Sequence, residues 1–251
     1  MNIAVISDIH GNLPALEAAL AEIDAAEPEE VWCLGDVVGY GAQPDECTIL
    51  VAERCAVCLV GNHDLAVAGE LDISSFSPAA SAAVRWTQRT AADETIRFLR
   101  GRSPAHTGHE VALYHASPRD PVWEYVLWPD QAAECIAQQA ARVSLIGHSH
   151  VALFFTLPEQ AEGPAAAPGL ARGAQAEADT ELDLASARWL INPGSVGQPR
   201  DGDPRAAWLE LDTGAWAARY RRVAYDVDAA SEAILAADLP EHLAKRLHIG
   251  Q

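Results

Sequence analysis

The pattern of apolar and polar positions divides the first 150 residues into short strands that alternate with amphipathic helices. Residues 3–7 form an apolar run typical of a buried strand, and residues 14–26 carry Leu16, Leu20 and Ile23 at helical spacing. By the same criteria we predict further strands at residues 31–34, 56–60, 110–114, 142–146 and 151–157, and further helices at residues 45–54, 77–90, 92–100 and 130–140.

The second half of the chain is predicted to be mostly strand. Residues 163–179 are rich in Ala, Gly and Pro, which predicts a flexible surface loop or a long hairpin connection within a single domain spanning residues 1–251. The change from alternating elements to strands predicts a layered α/β fold whose later strands form a second, largely antiparallel sheet. The later elements are strands at residues 188–191, 206–211 and 216–222 and helices at residues 228–237 and 240–247.

The charge of the chain limits its partners. It has 36 acidic and 17 basic residues among 251, a net charge of −19. A surface this acidic disfavours nucleic-acid polymers and anionic membranes unless bound metal ions supply positive charge. No apolar run reaches the length of a membrane span and no basic signal-peptide segment is found, so we expect a cytoplasmic protein. Its five cysteines are expected to be reduced, as is usual in that compartment, and the Cys55–Cys58 pair lacks the second pair that a zinc site would need. The sequence does not reveal the oligomeric state.

Five of the predicted strands end directly in Asp, Asn or His. Because ligands of open α/β sheets bind outside the carboxyl ends of the strands, we expect these clusters to meet at one edge of the sheet. The segments that follow the strands are Asp8-Ile9-His10, Gly35-Asp36, Gly61-Asn62-His63-Asp64, His115 and Gly147-His148-Ser149-His150.

These segments offer seven candidate metal ligands. One ion with four protein ligands would use about half of them, so the set fits two ions that share one carboxylate. Imidazole, carboxylate and amide groups without a thiolate favour Mn, Fe, Zn, Co or Ni over Ca or a structural zinc. Two such cations activate a bridging water and clamp phosphoryl oxygens, which predicts two-metal hydrolysis. The candidates are Asp8, His10, Asp36, Asn62, His115, His148 and His150.

Several of these residues also have a structural interpretation. Asp8 and Asp36 precede helices and would serve as N-caps, and Asn62 would hold a turn. His63 is interpreted either as a proton donor or as a supporting residue, with Asp64 beside it to fix its tautomer.

Other polar and aromatic residues are less specific. The glycine-rich segment 192–200 is either a simple turn or a wall of the site, with Arg200 or Arg205 contacting a substrate phosphate. We assign a structural role alone to His106, His109, His242, His248 and the tryptophans at positions 86, 123, 128, 189, 208 and 216.

Taken in order, the motifs resemble those of the calcineurin-like metallophosphoesterase family. The resemblance implies a four-layer α/β/β/α sandwich of two mixed sheets flanked by helices. It implies that His63 donates a proton to the leaving group and that Asp64 orients His63. It also implies two divalent transition-metal ions, with Mn first and Fe, Zn, Ni or Co as alternatives. By this resemblance the first ion is expected at Asp8, His10, Asp36 and His150, and the second at Asp36, Asn62, His115 and His148.

Within the family, the sequence is more similar to small bacterial phosphodiesterases of the YfcE type. That likeness is carried by residues 7–12, 35–41 and 192–200. Gly39 and Tyr40 stand where the Ser/Thr protein phosphatases of the superfamily have an Asp-Arg pair, so the phosphate-binding arginine is missing from that place. This departure disfavours a protein phosphatase and also a symmetrical diadenosine tetraphosphatase.

The expected function is therefore a dinuclear metal-dependent phosphoesterase. It would hydrolyse a small phosphodiester, phosphomonoester or nucleotide by in-line attack of a metal-bridging hydroxide, with Arg200, Asn12 and Tyr40 as candidate substrate contacts. Two alternatives stay open: a non-catalytic metal-binding scaffold on the same fold, and a nuclease. A nuclease would need a basic track, for which the candidates are Arg85, Arg89, Arg97, Arg100 and Arg102.

Overall fold

Two six-stranded mixed sheets form the centre of the molecule, which we describe from a computed structural model for residues 1–108, 110–157 and 171–251. The strands of the first sheet, in spatial order, are β3 (Val57–Cys58), β2 (Glu30–Cys33), β1 (Asn2–Ile6), β11 (Ala206–Asp212), β12 (Ala217–Val223) and β9 (Glu181–Asp183). Those of the second sheet are β4 (Ala105–Thr107), β5 (Val111–Tyr114), β6 (Val143–Leu145), β10 (Arg188–Pro193), β7 (Ala152–Leu157) and β8 (Arg172–Gln175).

Each sheet combines a parallel half with an antiparallel half. Strands β1, β2 and β3 pair in parallel, as do β5, β6 and β10. The remaining pairs are antiparallel, including β1 with β11 and β10 with β7. The carboxyl ends of the parallel strands therefore meet at a common edge, which positions the polar segments that follow them.

Helices cover the outer face of each sheet. On the first sheet lie α1 (Leu13–Ala26) and α2 (Pro44–Arg54), and on the second lies α6 (Pro129–Gln138). The apolar core between the sheets takes residues from both, including Val5, Leu145 and Leu209. The order of layers is therefore α/β/β/α, as the family resemblance implies. The other helices are α3 (Asn62–Val67), α4 (Pro78–Thr90), α5 (Asp93–Leu99), α7 (Val227–Ala236) and α8 (Glu241–Leu247).

The expectation that the later strands form a sheet of their own is wrong. Strands β11, β12 and β9 complete the first sheet, whereas β10, β7 and β8 complete the second. The reason is burial. The side chains of β10 and β11 are buried on nearly every position, so each of these strands needs a neighbour on both sides and a covered surface on both faces.

The segment predicted over residues 163–179 as a flexible surface loop or a long hairpin connection includes a strand. Residues 163–170 lie outside the described part of the chain, but β8 pairs antiparallel with β7 at the edge of the second sheet. All four of its residues are exposed, so backbone pairing rather than side-chain burial orders it, and a hydrophobic pattern gave no signal for it.

None of the helices in the described ranges combines the length and the hydrophobicity needed to cross a membrane.

Candidate metal centre

The polar segments after the strands come together at one buried cluster. Asp8 and His10 follow β1, Asp36 follows β2, and Asn62 opens α3 after β3. His115 follows β5, and His148 and His150 lie between β6 and β7. All seven side chains are at most 4% exposed. A buried group of this polarity requires hydrogen-bond partners or a bound ion.

Most of these residues occupy a strained backbone conformation. The φ angle is 53° at Asp8, 51° at His10, 52° at Asp36, 63° at His148 and 60° at His150. This left-handed region is rarely used by residues other than glycine and costs of order 1–3 kcal/mol each. Backbone strain concentrated at one set of neighbouring residues is typical of a functional site.

Two overlapping groups could each hold a cation. Within each group the ligand atoms lie within 4.8 Å of one another, and Asp36 belongs to both groups. Asn62 joins the second group, because its Oδ1 lies 3.3 Å from Nε2 of His115. The first group is Asp8, His10, Asp36 and His150, and the second is Asp36, His115 and His148.

Backbone carbonyls fix the tautomers of three of the histidines. Nδ1 of His10 lies 3.1 Å from the carbonyl of Val38, and Nδ1 of His150 lies 2.7 Å from that of Gln198. Nδ1 of His115 is bound in the same way to Leu34. A carbonyl only accepts, so each Nδ1 carries the proton and each Nε2 presents a lone pair to the cluster.

The atoms that face each other in the cluster are therefore mostly acceptors. Nε2 of His10 lies 3.1 Å from Nε2 of His150 and 3.5 Å from Oδ2 of Asp36. Oδ2 of Asp36 and Nε2 of His148 have no hydrogen-bond partner among the described residues. Acceptors at these distances repel one another unless a cation lies between them, so the residues present fit a bound metal ion.

Burial sets the protonation of the cluster. It raises the pKa of Asp8 to about 7, and it raises the pKa of Asp36 well above its usual range, with Asp64 adding to the effect. It also lowers the pKa of His10 and His150 well below the usual range. The imidazoles are therefore neutral, and the carboxylates need a nearby positive charge in order to ionise. A bound divalent cation requires neutral imidazoles and supplies that charge.

Gly61 is required by close approach to Asp36. A Cβ at this position would lie 2.1 Å from Oδ1 of Asp36, which also accepts a hydrogen bond of 2.9 Å from the backbone N–H of His63. The start of α3 therefore holds the carboxylate shared by the two groups, and only a glycine leaves room for it.

The cluster opens into a cavity of about 350 Å³. Of the predicted substrate and catalytic residues, His63, Tyr40 and Arg200 line it. The imidazole of His63 is 3% exposed, and its Nδ1 has no partner among the described residues. The guanidinium carbon of Arg200 lies 5.7 Å from the ring centre of Tyr40. Of the two arginines expected near the substrate, Arg200 is at the cavity, whereas Arg205 pairs with Asp203 beside a different one.

The resemblance implies that Asp64 orients His63, but no hydrogen bond joins the two side chains among the described residues. Its carboxylate accepts hydrogen bonds from the backbone N–H groups of Val37, Val38 and Gly61 at 3.0–3.2 Å. Asp64 therefore ties the loop after β2 to the start of α3, and any effect on His63 passes through the backbone.

The structure gives Asn12 a structural role. Its Oδ1 accepts a hydrogen bond of 3.2 Å from the N–H of Ala15 and caps α1, while its Nδ2 donates to Gly197 and Tyr225. Asn12 does not line the cavity. We therefore do not retain it as a substrate contact, because its polar atoms are already bonded within the protein.

Seven described residues of the cavity wall were not predicted as site residues, and four of them carry aromatic or charged side chains. Phe76, Trp123, Tyr125 and Arg246 line it, and the ring of Tyr125 stacks on His148 with centroids 4.2 Å apart. Trp123 was predicted as a core or interface anchor and instead meets Phe76 edge to face at 5.2 Å. Of the histidines predicted to lie outside the site, His106, His242 and His248 are exposed, and His109 lies outside the described residues.

Comparison with known proteins shows the family and the fold. A sequence model described as the calcineurin-like phosphoesterase superfamily domain matches residues 1–214. An uncharacterized protein of Methanocaldococcus jannaschii is 36% identical over 99% of this chain and 98% of its own length. The crystal structure of a metallophosphoesterase from Sphaerobacter thermophilus, also 36% identical, superposes with a TM-score of 0.87 over 100% of this chain and 99% of that one.

The phosphoesterase YfcE of E. coli is also among the similar structures, with a TM-score of 0.42 and 19% identity over 85% of this chain and 89% of that one. On the family match and the 36% identity to two full-length relatives, the chain belongs to the calcineurin-like phosphoesterase superfamily.

Proposed function

We propose that the protein is a dinuclear metal-dependent phosphoesterase that hydrolyses a small phosphodiester, phosphomonoester or nucleotide. The observation that carries this proposal is the cluster of acceptor atoms that face one another around Asp36. Backbone carbonyls fix the tautomers of three histidines in this cluster. Such a cluster is destabilising as it stands and becomes favourable with bound cations.

Asp8, His10, Asp36 and His150 would hold one ion, and Asp36, Asn62, His115 and His148 the other. When bound, two such ions lower the pKa of a water and neutralise charge on phosphoryl oxygens. On the family resemblance we propose Mn first, with Fe, Zn, Ni or Co as alternatives that the mixed nitrogen and oxygen ligands also suit. All five cysteines are unpaired in the structure, which supports a cytoplasmic site of action.

His63 is the proposed proton donor to the leaving alcohol. It lines the cavity beside the cluster, and its Nδ1 is not engaged by another described residue. Burial, with a contribution from Arg200, lowers its pKa well below the usual range, so the free imidazole is neutral. An anionic phosphate in the cavity favours the protonated form, which couples proton uptake by His63 to substrate binding.

Arg200 is the proposed phosphate contact. Its Nη2 donates to Gln198 at 2.9 Å, but its Nε has no partner among the described residues. Tyr40 stands where the related protein phosphatases have an arginine, and the guanidinium of Arg200 at the cavity wall supplies the positive charge that is missing there.

The cavity favours a small substrate over a polymer. Phe76 and Trp123 form one wall, and a volume of about 350 Å³ leaves room for little more than the ester and one substituent. The basic track that a nuclease needs is not continuous, because Arg97 pairs with Glu94 while Arg100 and Arg102 bond to backbone carbonyls.

Hydrolysis with controlled metal content tests the proposal. The chelated protein should be inactive on p-nitrophenyl phosphate and bis(p-nitrophenyl) phosphate, and added Mn²⁺ should restore hydrolysis of at least one. His148→Ala should lose the activity together with bound metal, whereas His106→Ala, which removes an exposed histidine, should keep both. Metal-independent hydrolysis, or a His148→Ala protein with full activity, would contradict the proposal, and bound metal without hydrolysis would favour the scaffold alternative.

A further inference from the structure

Two arginines line the cavity, and neither pairs with an Asp or Glu side chain of the described residues. Arg200 follows β10, and Arg246 belongs to α8 at the other end of the fold. Neither has an acidic side chain as its partner among the described residues, although the chain carries a net charge of −19. The neighbouring Lys245 is instead exposed to solvent and forms an ion pair with Glu241 at 2.8 Å. Arg246 is therefore a cation at the site that no Asp or Glu side chain of the described residues neutralises, in a protein with a large excess of acids.

Apolar packing holds Arg246 in place. Helices α7 and α8 pack on each other and on α4 through a buried cluster that includes Tyr40, Ala83, Ile234 and Leu243. This helical pair follows residue 214, where the match to the superfamily domain ends. Arg246 therefore reaches the cavity from a part of the chain that the superfamily model does not include.

The two arginines line the same cavity. Burial and the charge of Arg200 lower the pKa of Arg246 to about 10. Among the described residues the only hydrogen bond of the Arg246 side chain runs from Nε to the carbonyl of Gln251. Two like charges facing one cavity destabilise the free protein, and an anion between or beside them removes that cost.

The arginines occupy different depths of the cavity. Arg200 lies next to the buried cluster, because its backbone N–H donates a hydrogen bond of 3.0 Å to the carbonyl of His150. No hydrogen bond among the described residues joins the Arg246 side chain to the cluster, and Tyr125, which lines the cavity with Arg246, is 44% exposed at the rim. An anion bound by Arg246 lies further from the cluster than the ester that Arg200 would contact.

Resting on the proposed function, we propose that Arg246 binds a second anionic group of the substrate, a carboxylate or phosphate on the part that leaves. Arg200 contacts the reacting phosphoryl group, and Arg246 contacts the second group near the rim. The preferred substrates are then phosphoesters with at least two separate anionic groups, and Arg246 determines this specificity.

Non-hydrolysable phosphonates test the proposal without depending on turnover. The probes are ω-phosphonocarboxylates with chains of three to six carbons, each paired with the alkylphosphonate of the same length. Binding to the Mn²⁺-loaded protein is measured by calorimetry, with metal content checked after each titration. A series of lengths is used so that at least one member spans the two arginines.

At least one phosphonocarboxylate should bind about tenfold more tightly than its matched alkylphosphonate, as expected for one charge-assisted contact. Arg246→Ala should remove this preference and leave the affinity for the alkylphosphonate within about twofold, while Arg246→Lys should retain part of it. Lys245→Ala, the adjacent cation, should change neither affinity.

The outcomes separate this inference from the proposed function. If the alkylphosphonates bind and Mn²⁺-dependent hydrolysis is present, but the preference is absent or survives in Arg246→Ala, only the role of Arg246 is overturned. An equal loss for both members of a pair would show that Arg246 contacts the phosphoryl group instead, and would also overturn it. If no phosphonate binds and no phosphoester is hydrolysed, both conclusions fail.

Discussion

Replacing Asp36 by asparagine should have opposite effects on stability with and without metal. Oδ1 of Asp36 accepts the N–H of His63, and an asparagine oxygen can accept it equally well. Oδ2 lies 3.5 Å from Nε2 of His10 and 3.5 Å from Nε2 of His115, both of which present lone pairs. An amide nitrogen at the Oδ2 position donates to these acceptors, so Asp36→Asn replaces two repulsive contacts by two hydrogen bonds.

The size of the effect follows from these contacts. Two hydrogen bonds at about 1 kcal/mol each stabilise the chelated variant by roughly 2 kcal/mol. For a domain of this size each kcal/mol shifts Tm by about 2–4 °C, so Tm should rise by roughly 4–8 °C at pH 8. The gain is expected at pH 8 because burial raises the pKa of Asp36 well above its usual range. The wild-type protein then either keeps an unfavourable buried charge or binds a proton that its unfolded chain lacks.

Thermal unfolding in chelator and in excess Mn²⁺ measures both effects. In chelator at pH 8 Asp36→Asn should unfold at a higher temperature than wild type, and the difference should shrink at pH 5, where the unfolded aspartate approaches its own protonation. In Mn²⁺ the order should reverse, because wild type gains stability by binding while the variant lacks the shared carboxylate. Metal content by mass spectrometry should fall at both sites.

A second buried aspartate provides the control. Asp201 is ion-paired with Arg222 and accepts the N–H of Ala152 at 3.1 Å, so its charge has a protein partner. Asp201→Asn should lower Tm in both conditions. If Asp36→Asn were also less stable than wild type in chelator at pH 8, the cluster would not consist of facing acceptors and the metal assignment would lose its main support.

Three further predictions concern the donor, the packing around it and pH. His63→Ala should keep its metal but slow the hydrolysis of alkyl esters by about 10²–10⁴-fold and that of nitrophenyl esters less; equal losses would exclude proton donation. Gly39→Ala should reduce activity far more than Gly202→Ala. Both residues have positive φ, but only at position 39 would an added Cβ meet His63, at 2.5 Å from Nδ1. Assays at equal folded fraction compare the two variants, and equal activity would contradict this packing. Measured by urea unfolding, the stability of the chelated wild type relative to chelated Asp8→Asn should fall as pH rises from about 4 to 7, because the folded pKa of Asp8 is raised to about 7 and the unfolded chain loses this proton first; a difference that rises over that range would refute the assignment.

Much of the site could be predicted because its signals are local. Each parallel strand is a short apolar run, and the residues that follow it must lie at the carboxyl edge of the sheet. Asp8, Asp36 and His115 are found by this rule without knowledge of any contact between them. The family resemblance added the order of layers, which periodicity alone assigned incorrectly for the later strands.

The rest depends on contacts between distant parts of the chain. Arg246 lies on a short helix with no motif, and only the packing of α7 and α8 against Tyr40 brings it to the cavity. Asp64 follows His63 directly in sequence, yet the start of α3 turns its carboxylate toward backbone N–H groups of the loop after β2. Trp123 has the composition of a core residue, and its position at the cavity follows from the path of a loop.

The loop after β10 has a consequence for biosynthesis. All seven candidate ligands lie between residues 8 and 150, but Val196 and Gly197 donate to the carbonyls of Ser7 and Asp8, and the carbonyl of Gln198 binds His150. Strand β1 also pairs with β11, and β6 pairs with β10, and both partners come later in the chain. A nascent chain on the ribosome therefore exposes every ligand well before the residues that orient them have been translated. Selective capture of metal is expected only after residue 212 has emerged, and a fragment ending at residue 157 should not reproduce it.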